Sequence, residues 1–487
     1  MTRWNFRCLV VILIFTCTPL PLKAEQIAPS PNPSGGTIDV TASDANNSEK
    51  FWNYGELNIK DGGVLINQNT LTARDGGKLL TESGGTLINL GTLNTSDGYF
   101  TNGGTLNNSG GLTTFVLKNT GTVNSSGWIG FFSINNSGTV NIESGGAVGG
   151  EDWSNQNTGI INNYGSWHTE PLTNYGTVNN HGSMDINWGL HNFSTFNNSN
   201  LLTASSGTSM QNELGGTFNN SGTIDISRFG NSGTFNYSSG NLNLVHGSYI
   251  GYFTNTGLFS ISGSGDHIVN GDVINTGTVK TTHTTVYYNG TFTNNGAYIS
   301  DPATQTFNNL IIGQNGYLVG QMADAFKISG NLISSSIMNN DWNTRQSCLQ
   351  FITGTGNIHD FYLTGADYGA NMPGYANNFA WGTLDVTENI VHFYDGNSDA
   401  GAALYLRDIL GLDITDMMIA NLFGFDGLDI YYMANLPDNR YLNGLTYALA
   451  GGGHLAPIPT PEPSTMLLLG SGLVGLIGYG RRRRFQK

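Results

Sequence analysis

An all-β fold is predicted for this chain, specifically a β-solenoid of the right-handed parallel β-helix kind. Three observations lead to it: a Gly-Thr repeat at a step near 17 residues, an apolar residue at every second position inside each repeat, and no helical periodicity in the repeated region. The repeat reads Gly104-Thr105-Leu106-Asn107, Gly121-Thr122-Val123-Asn124, Gly138-Thr139-Val140-Asn141, Gly176-Thr177-Val178-Asn179, Gly216-Thr217-Phe218-Asn219 and Gly233-Thr234-Phe235-Asn236, with variants at Gly277 and Gly290. The intervals 104 to 121, 121 to 138 and 159 to 176 are each 17 residues, and shorter steps of six occur at 85 to 91, 176 to 182 and 216 to 222. A nearly fixed step of this size is one coil per repeat.

Within a coil, Leu106, Val123, Val140 and Val178 stand alone between Thr and Asn, the alternation of a short half-buried strand. Asn-Ser-Gly and Asn-Tyr-Gly supply the turns, and at those glycines a positive φ is expected. Coils about 4.8 Å apart stack equivalent residues, giving apolar ladders inside and Asn ladders at the turns. Neighbouring coils then satisfy the backbone, so a chain with 68 glycines and 11% charged residues can fold. The competing reading is a disordered low-complexity region, against which the regularly spaced Leu, Val, Ile and Phe argue.

The repeats are assigned to residues 51–395, preceded by a linker or N-terminal cap at 25–50. Beyond Thr306 the Gly-Thr signal fades, but strand-like runs continue at Leu310-Ile311-Ile312, Tyr317-Leu318-Val319, Phe326-Lys327-Ile328 and Leu349-Gln350-Phe351-Ile352. Residues 396–458 are expected to cap the last coil: Ala402 to Gly411 as a short helix or a strand pair, Leu428 to Tyr432 and Tyr447 to Leu449 as strands.

Both ends carry addresses. Arg3 and Arg7 precede an apolar run from Leu9 to Phe15, then Pro19, Pro21 and Ala24, which reads as a signal peptide over 1–24 for the Sec export machinery. A lipoprotein signal through Cys17 is the weaker alternative, since Phe15 and Thr16 suit it poorly. At the other end Pro461-Glu462-Pro463 is followed by an apolar stretch from Met466 to Tyr479 and by Arg481-Arg482-Arg483-Arg484. That stretch is read as a transmembrane helix, though shorter than the roughly 20 residues of a comfortable span, with the arginines holding its end in the cytoplasm.

Residues 459–487 resemble the PEP-CTERM sorting signal. The resemblance implies recognition and cleavage near Pro461-Glu462-Pro463 by an exosortase, a membrane enzyme with a Cys-His-Arg site. It implies a transient inner-membrane intermediate, a final place at the cell surface or outside the cell, and a Gram-negative producer of exopolysaccharide, the polymer being a further expected partner. The runs Gly427 to Tyr432 and Leu445 to Gly453 also resemble segments that precede this signal in some such proteins. An ordinary C-terminal membrane anchor is the competing reading.

Between the two ends, residues 25–460 keep 11 Lys and Arg against 33 Asp and Glu, a formal charge of about −22. Such a surface excludes nucleic acid as a partner. Cys8 and Cys17 leave with the signal peptide, so Cys348 has no partner for an intramolecular disulfide.

Extracellular β-helices include polysaccharide lyases and hydrolases, which place carboxylates on adjacent coils, and such an enzyme is the alternative function. Glu151-Asp152 is the adjacent acidic pair; Asp360, Asp367, Asp395 and Asp399 are scattered, and His168, His181 and His191 stand in turn-like sequence. With no HExxH, Ser-His-Asp signature, Cys-rich motif or calcium repeat, no enzyme, cofactor or metal is expected. Trp128, Trp153, Trp167 and Trp188, at intervals of 25, 14 and 21, are the candidates for stacking on sugar, against the reading that they pack in the core. The expectation is a structural or adhesive protein of the cell envelope or the extracellular polysaccharide (biofilm) matrix.

Overall fold

The computed structural model describes residues 25–41, 45–205, 207–246, 249–354, 356–396 and 401–459. The signal peptide and the tail from residue 460 onwards lie outside them. The described residues are 62% strand and 3% helix, a β-solenoid of about 16 turns of parallel strands, as the repeat predicts. It divides into two compact units, Met1–Phe131 and Phe132–Lys487.

In the first unit Thr86–Asn89, Thr105–Asn108 and Thr122–Ser125 stack in parallel register. Leu87, Leu106 and Val123 form one buried column, because the pleat sends every second side chain inward. Asn47, Asn67, Asn89 and Asn108 form another, each carboxamide donating from Nδ2 to the next Oδ1 over 2.6, 2.6 and 2.7 Å. The column ends on the Ser125 hydroxyl, 3.0 Å from Asn108 Nδ2. Residues 25–50 already belong to the stack: Glu25–Gln26 pairs with Ala45–Asn47, and Thr37–Val40 with Glu56–Ile59.

In the second unit each coil lays down three short strands. One face is Thr177–Asn180, and the strand Ser183–Asn192 bends to supply the other two. The six-residue step from Gly176 to Gly182 is therefore the width of one face, with a glycine at each corner, and the 17-residue step is a whole coil. Insertions at corners lengthen coils, so the spacing along one column ranges from 18 to 24 residues. Val140, Ile161, Val178, Phe196, Phe218, Phe235, Phe259 and Val279 share an inward column. Neighbouring rings stack within it, Phe196 on Phe218 at 4.7 Å and Phe235 on Phe259 at 5.0 Å. Each such side chain contributes about 1.5–3 kcal/mol through burial.

A nine-member amide ladder runs beside it: Asn136, Asn155, Asn174, Asn192, Asn212, Asn231, Asn255, Asn275 and Asn294. Each Nδ2 donates to the Oδ1 of the following coil at 2.7–2.8 Å. The same Nδ2 also reaches turn carbonyls, as Asn174 does to Gly176 at 3.2 Å and Thr195 at 2.9 Å. Ile312 takes the next place in the column, where the Gly-Thr signal also fades.

The expected positive φ at the Asn-x-Gly glycines is not what the structure uses: Gly176, Gly233, Gly257 and Gly277 lie outside the left-handed region. They are glycines because coils touch there. A Cβ on Gly176 would stand 2.2 Å from the Gly159 carbonyl oxygen, and one on Gly257 2.1 Å from that of Gly233.

Parallel pairing continues past Asp395, so the region 396–458 extends the stack as well as closing it. Ala403–Leu410 is one strand, not a helix or a pair, lying between Trp381–Asp385 and Asp429–Met433, and the latter pairs with His454–Ile458. Closure comes from antiparallel pairs, Ile414–Thr415 with Met418–Ile419 and Tyr447–Ala448 with His454–Leu455.

Two predictions follow from this packing. Asn192→Ala strands the Oδ1 of Asn212 and removes an acceptor from Asn174, so urea denaturation should show a loss of about 2–4 kcal/mol. Asn197→Ala, on the half-exposed outer side, should cost less than about 1 kcal/mol; equal losses would refute the buried ladder as the stabilising one. Alkaline pH provides the second. Burial pushes the Tyr405 and Tyr432 phenols up to about 12, whereas unfolded tyrosine ionises near 10. The folded state holds these protons more tightly, so stability is intact below pH 10 and falls as pH rises from about 10 to 12. Thermal melts read at 295 nm should show tyrosine ionisation coinciding with unfolding; a constant melting temperature across that window would contradict it.

Candidate functional surface

The outward side of the Thr177–Asn180 face is the most ordered polar surface of the second unit. Asn141, Asn162, Asn179, Asn197, Asn219 and Asn236 form a half-exposed amide ladder, each Nδ2 donating to the Oδ1 of the preceding coil at 2.7–2.8 Å. Aromatic pairs flank this column at both corners. Tyr175 and Phe193 stack at 4.9 Å and 13° on one side, Tyr164 and His181 at 4.9 Å and 15° on the other. His181 Nδ1 is fixed 2.7 Å from the Ser199 hydroxyl. All four rings occupy the position after a buried ladder asparagine, whose inward anchor turns its neighbour outward.

The tryptophans divide. Trp153 and Trp167 are 0% and 1% exposed and pack together at 4.4 Å, so neither can stack on a sugar; both follow the pleat inward. Trp188 is 78% exposed, because the strand Ser183–Asn192 carries one extra residue at its bend opposite Thr169–Pro171 and the bulge reverses its direction. Trp128, in the first unit, is 51% exposed.

The acidic candidates do not form a reaction centre. Glu151 and Asp152 sit on an outer corner opposite Glu170-Pro171 of the next coil, and none of these carboxylates makes a hydrogen bond or ion pair among the described residues. His168 Nδ1 lies 3.0 Å from Asp185 Oδ2, but its Nε2, the atom a general base would use, lies 3.2 Å from the Asn187 amide. His191 Nδ1 pairs with Glu213 at 2.8 Å. Asp360 lies 3.8 Å from His392, Asp395 ends the strand Ile390–Asp395, and Asp399 lies outside the described residues. Asp367 does enter a cluster: the Tyr431 hydroxyl donates to it at 2.9 Å and lies 3.3 Å from Asp429, which also accepts the His454 backbone N–H at 2.8 Å. Burial, reinforced by Asp367, keeps that phenol protonated well above its usual range. Three or more His, Cys, Asp or Glu placed to hold a metal ion do not occur among the described residues.

Sequence reasoning centred on tryptophan missed Tyr164, Tyr175 and Phe193, and weighed His181 only as a lone histidine in a turn. The available signal was a ring directly after a turn asparagine: in Asn163-Tyr164-Gly165, Asn174-Tyr175-Gly176 and Asn180-His181-Gly182, and in Asn192-Phe193-Ser194 at the equivalent corner.

Comparison with known proteins bears on the tail. Residues 459–484 match the family model of the PEP-CTERM protein-sorting motif. No curated protein and no solved structure matches the chain. The match makes this an exported, exosortase-processed protein sorted through the membrane towards the cell surface. No helix among the described residues is long and apolar enough to cross a membrane, and the segment 466–479, read as a transmembrane helix, lies outside them. Replacing Pro461, Glu462 and Pro463 by alanine should leave export intact and accumulate a full-length membrane-bound species. Mass spectrometry of the extracellular product should find Arg481, Arg482, Arg483 and Arg484 gone from wild type; their retention would rule out processing.

Proposed function

We propose that the exported chain is a structural or adhesive component of the extracellular polysaccharide matrix, holding polymer along its outer faces without chemically altering it. One observation carries this reading: the outer amide ladder through Asn179, flanked at both corners by stacked exposed rings. Carboxamides offer both a donor and an acceptor to sugar hydroxyls, and flat rings offer apolar contact to the C–H faces of pyranoses. The column repeats at coil spacing, so a polymer lying along it would meet many weak contacts, and avidity would supply the strength. The free, unoriented carboxylates of Glu151 and Asp152 support a non-catalytic reading over the alternative of a lyase or hydrolase.

Purified protein should cosediment with the producer's own polysaccharide and leave its chain length unchanged. Tyr175→Ala with Phe193→Ala should weaken retention several-fold, Trp188→Ala less, and Glu151→Gln with Asp152→Asn should have no effect. New reducing or unsaturated ends at substoichiometric protein would instead establish an enzyme.

A further inference from the structure

A second site lies on later coils of the second unit. An open pocket of about 400 Å³ is lined by Asn343, Arg345, Gln346, Tyr375, Arg407 and Met433. Its shape follows from register. The strand Thr344–Phe351 bulges between Thr344 and Cys348, and Trp381 pairs with Thr344 on one side and Leu406 on the other. Gly382 therefore lies between the coil of Arg345 and that of Arg407, and a Cβ there would meet the Ser347 carbonyl oxygen at 2.6 Å. With no side chain on the middle coil, two guanidinium groups from coils two apart line one notch.

Both arginines are held by part of their fork and keep donors to spare. Arg345 gives Nη1 to the Ala376 carbonyl at 2.9 Å, and Arg407 gives Nε to the buried Asp408 at 2.8 Å. The Nη groups of Arg407 have no partner among the described residues. Tyr375, whose hydroxyl donates to the Arg345 carbonyl at 2.8 Å, forms an apolar wall with Met433. Burial pushes its phenol up to about 12 while Arg407 and then Arg345 pull it down, so both cations act on the same small volume. Asn343 and Gln346 stand exposed beside Arg345; Asn343 Oδ1 accepts from Arg345 Nε at 3.4 Å, and the Gln346 amide faces solvent.

We propose that this notch binds the carboxylate of a uronic acid unit in an acidic polysaccharide. Two guanidinium groups with free donors match one carboxylate, the amides suit ring hydroxyls, and Met433 with the accessible edge of Tyr375 suits apolar contact with the ring. A cationic notch in a chain of such acidic balance also gives an anionic polymer a defined point of entry. The site is on other coils than the Asn179 face, so either reading can fail without the other.

The test titrates a short oligomer of glucuronic acid, a glucose oligomer of equal length and inorganic phosphate into the exported protein by calorimetry. The glucuronic acid oligomer should bind at least about tenfold more tightly than the other two. Arg407→Lys, which keeps a cation beside Asp408 but loses the fork, should weaken it about tenfold with circular dichroism and melting temperature unchanged. Arg345→Gln should do the same, and Tyr175→Ala should not. Equal binding of the glucose oligomer or of phosphate, or unchanged affinity in a folded Arg407→Lys protein, would overturn the assignment.

Discussion

Everything in this molecule depends on one coil lying directly on the next at strand spacing. Along the coil axis that distance is set by backbone hydrogen bonds, so whatever occupies a column must repeat at the same interval or leave a hole. Leu, Val and Phe meet the requirement by packing. Asparagine meets it differently, because its carboxamide duplicates the donor and acceptor of a peptide group and a column of asparagines is a side-chain copy of a β-ladder. The buried column through Asn174 donates towards the following coil, whereas the outer column through Asn179 donates towards the preceding one. These two rows of amide dipoles therefore oppose each other, while a second buried column through Asn163, Asn180 and Asn198 runs with the first.

The same constraint explains the glycines. Where the chain turns between faces, carbonyl oxygens of adjacent coils approach a Cα so closely that no Cβ fits, as at Gly176 and Gly257. Asparagine and glycine thus form one device: the amide satisfies the turn's carbonyls and the glycine lets the next turn sit on it. Stability comes from near neighbours, coil by coil, which is why insertions at corners are tolerated while the faces keep their register. Neither a disulfide nor a large set of ion pairs is needed, in keeping with a lone Cys348 and few charges.

The fold was legible because this device is written into the sequence at nearly fixed intervals. Leu106, Val123, Val140 and Val178 all point inward as their alternation indicates. The surface was less legible, for a specific reason: side-chain direction depends on counting from the pleat, and a bulge at a corner resets the count. Trp167 and Trp188 look alike in sequence, yet one lies in the core and the other in solvent because one extra residue intervenes at the bend of Ser183–Asn192. The rings at 164 and 175 were hidden inside an Asn-x-Gly motif read only as a turn, and Phe193 sits at the same corner without that motif. Arg345 and Arg407 are far apart in sequence and line one notch because they lie two coils apart with Gly382 between them, which no local pattern records.

Fold and sorting signal also fit each other. A chain threaded through a membrane must fold afterwards, and a solenoid does so because each coil needs only the previous coil as template. Processing at the far end then has to act on the sorting motif without damaging the stack. The last parallel strand, His454–Ile458, ends just before Pro461. Cleavage near Pro461-Glu462-Pro463 falls beyond every strand in the ladder, and the antiparallel contact of Tyr447–Ala448 with His454–Leu455 already covers part of the final coil. The released edge is thereby protected from pairing with another chain, which an open parallel edge would otherwise invite.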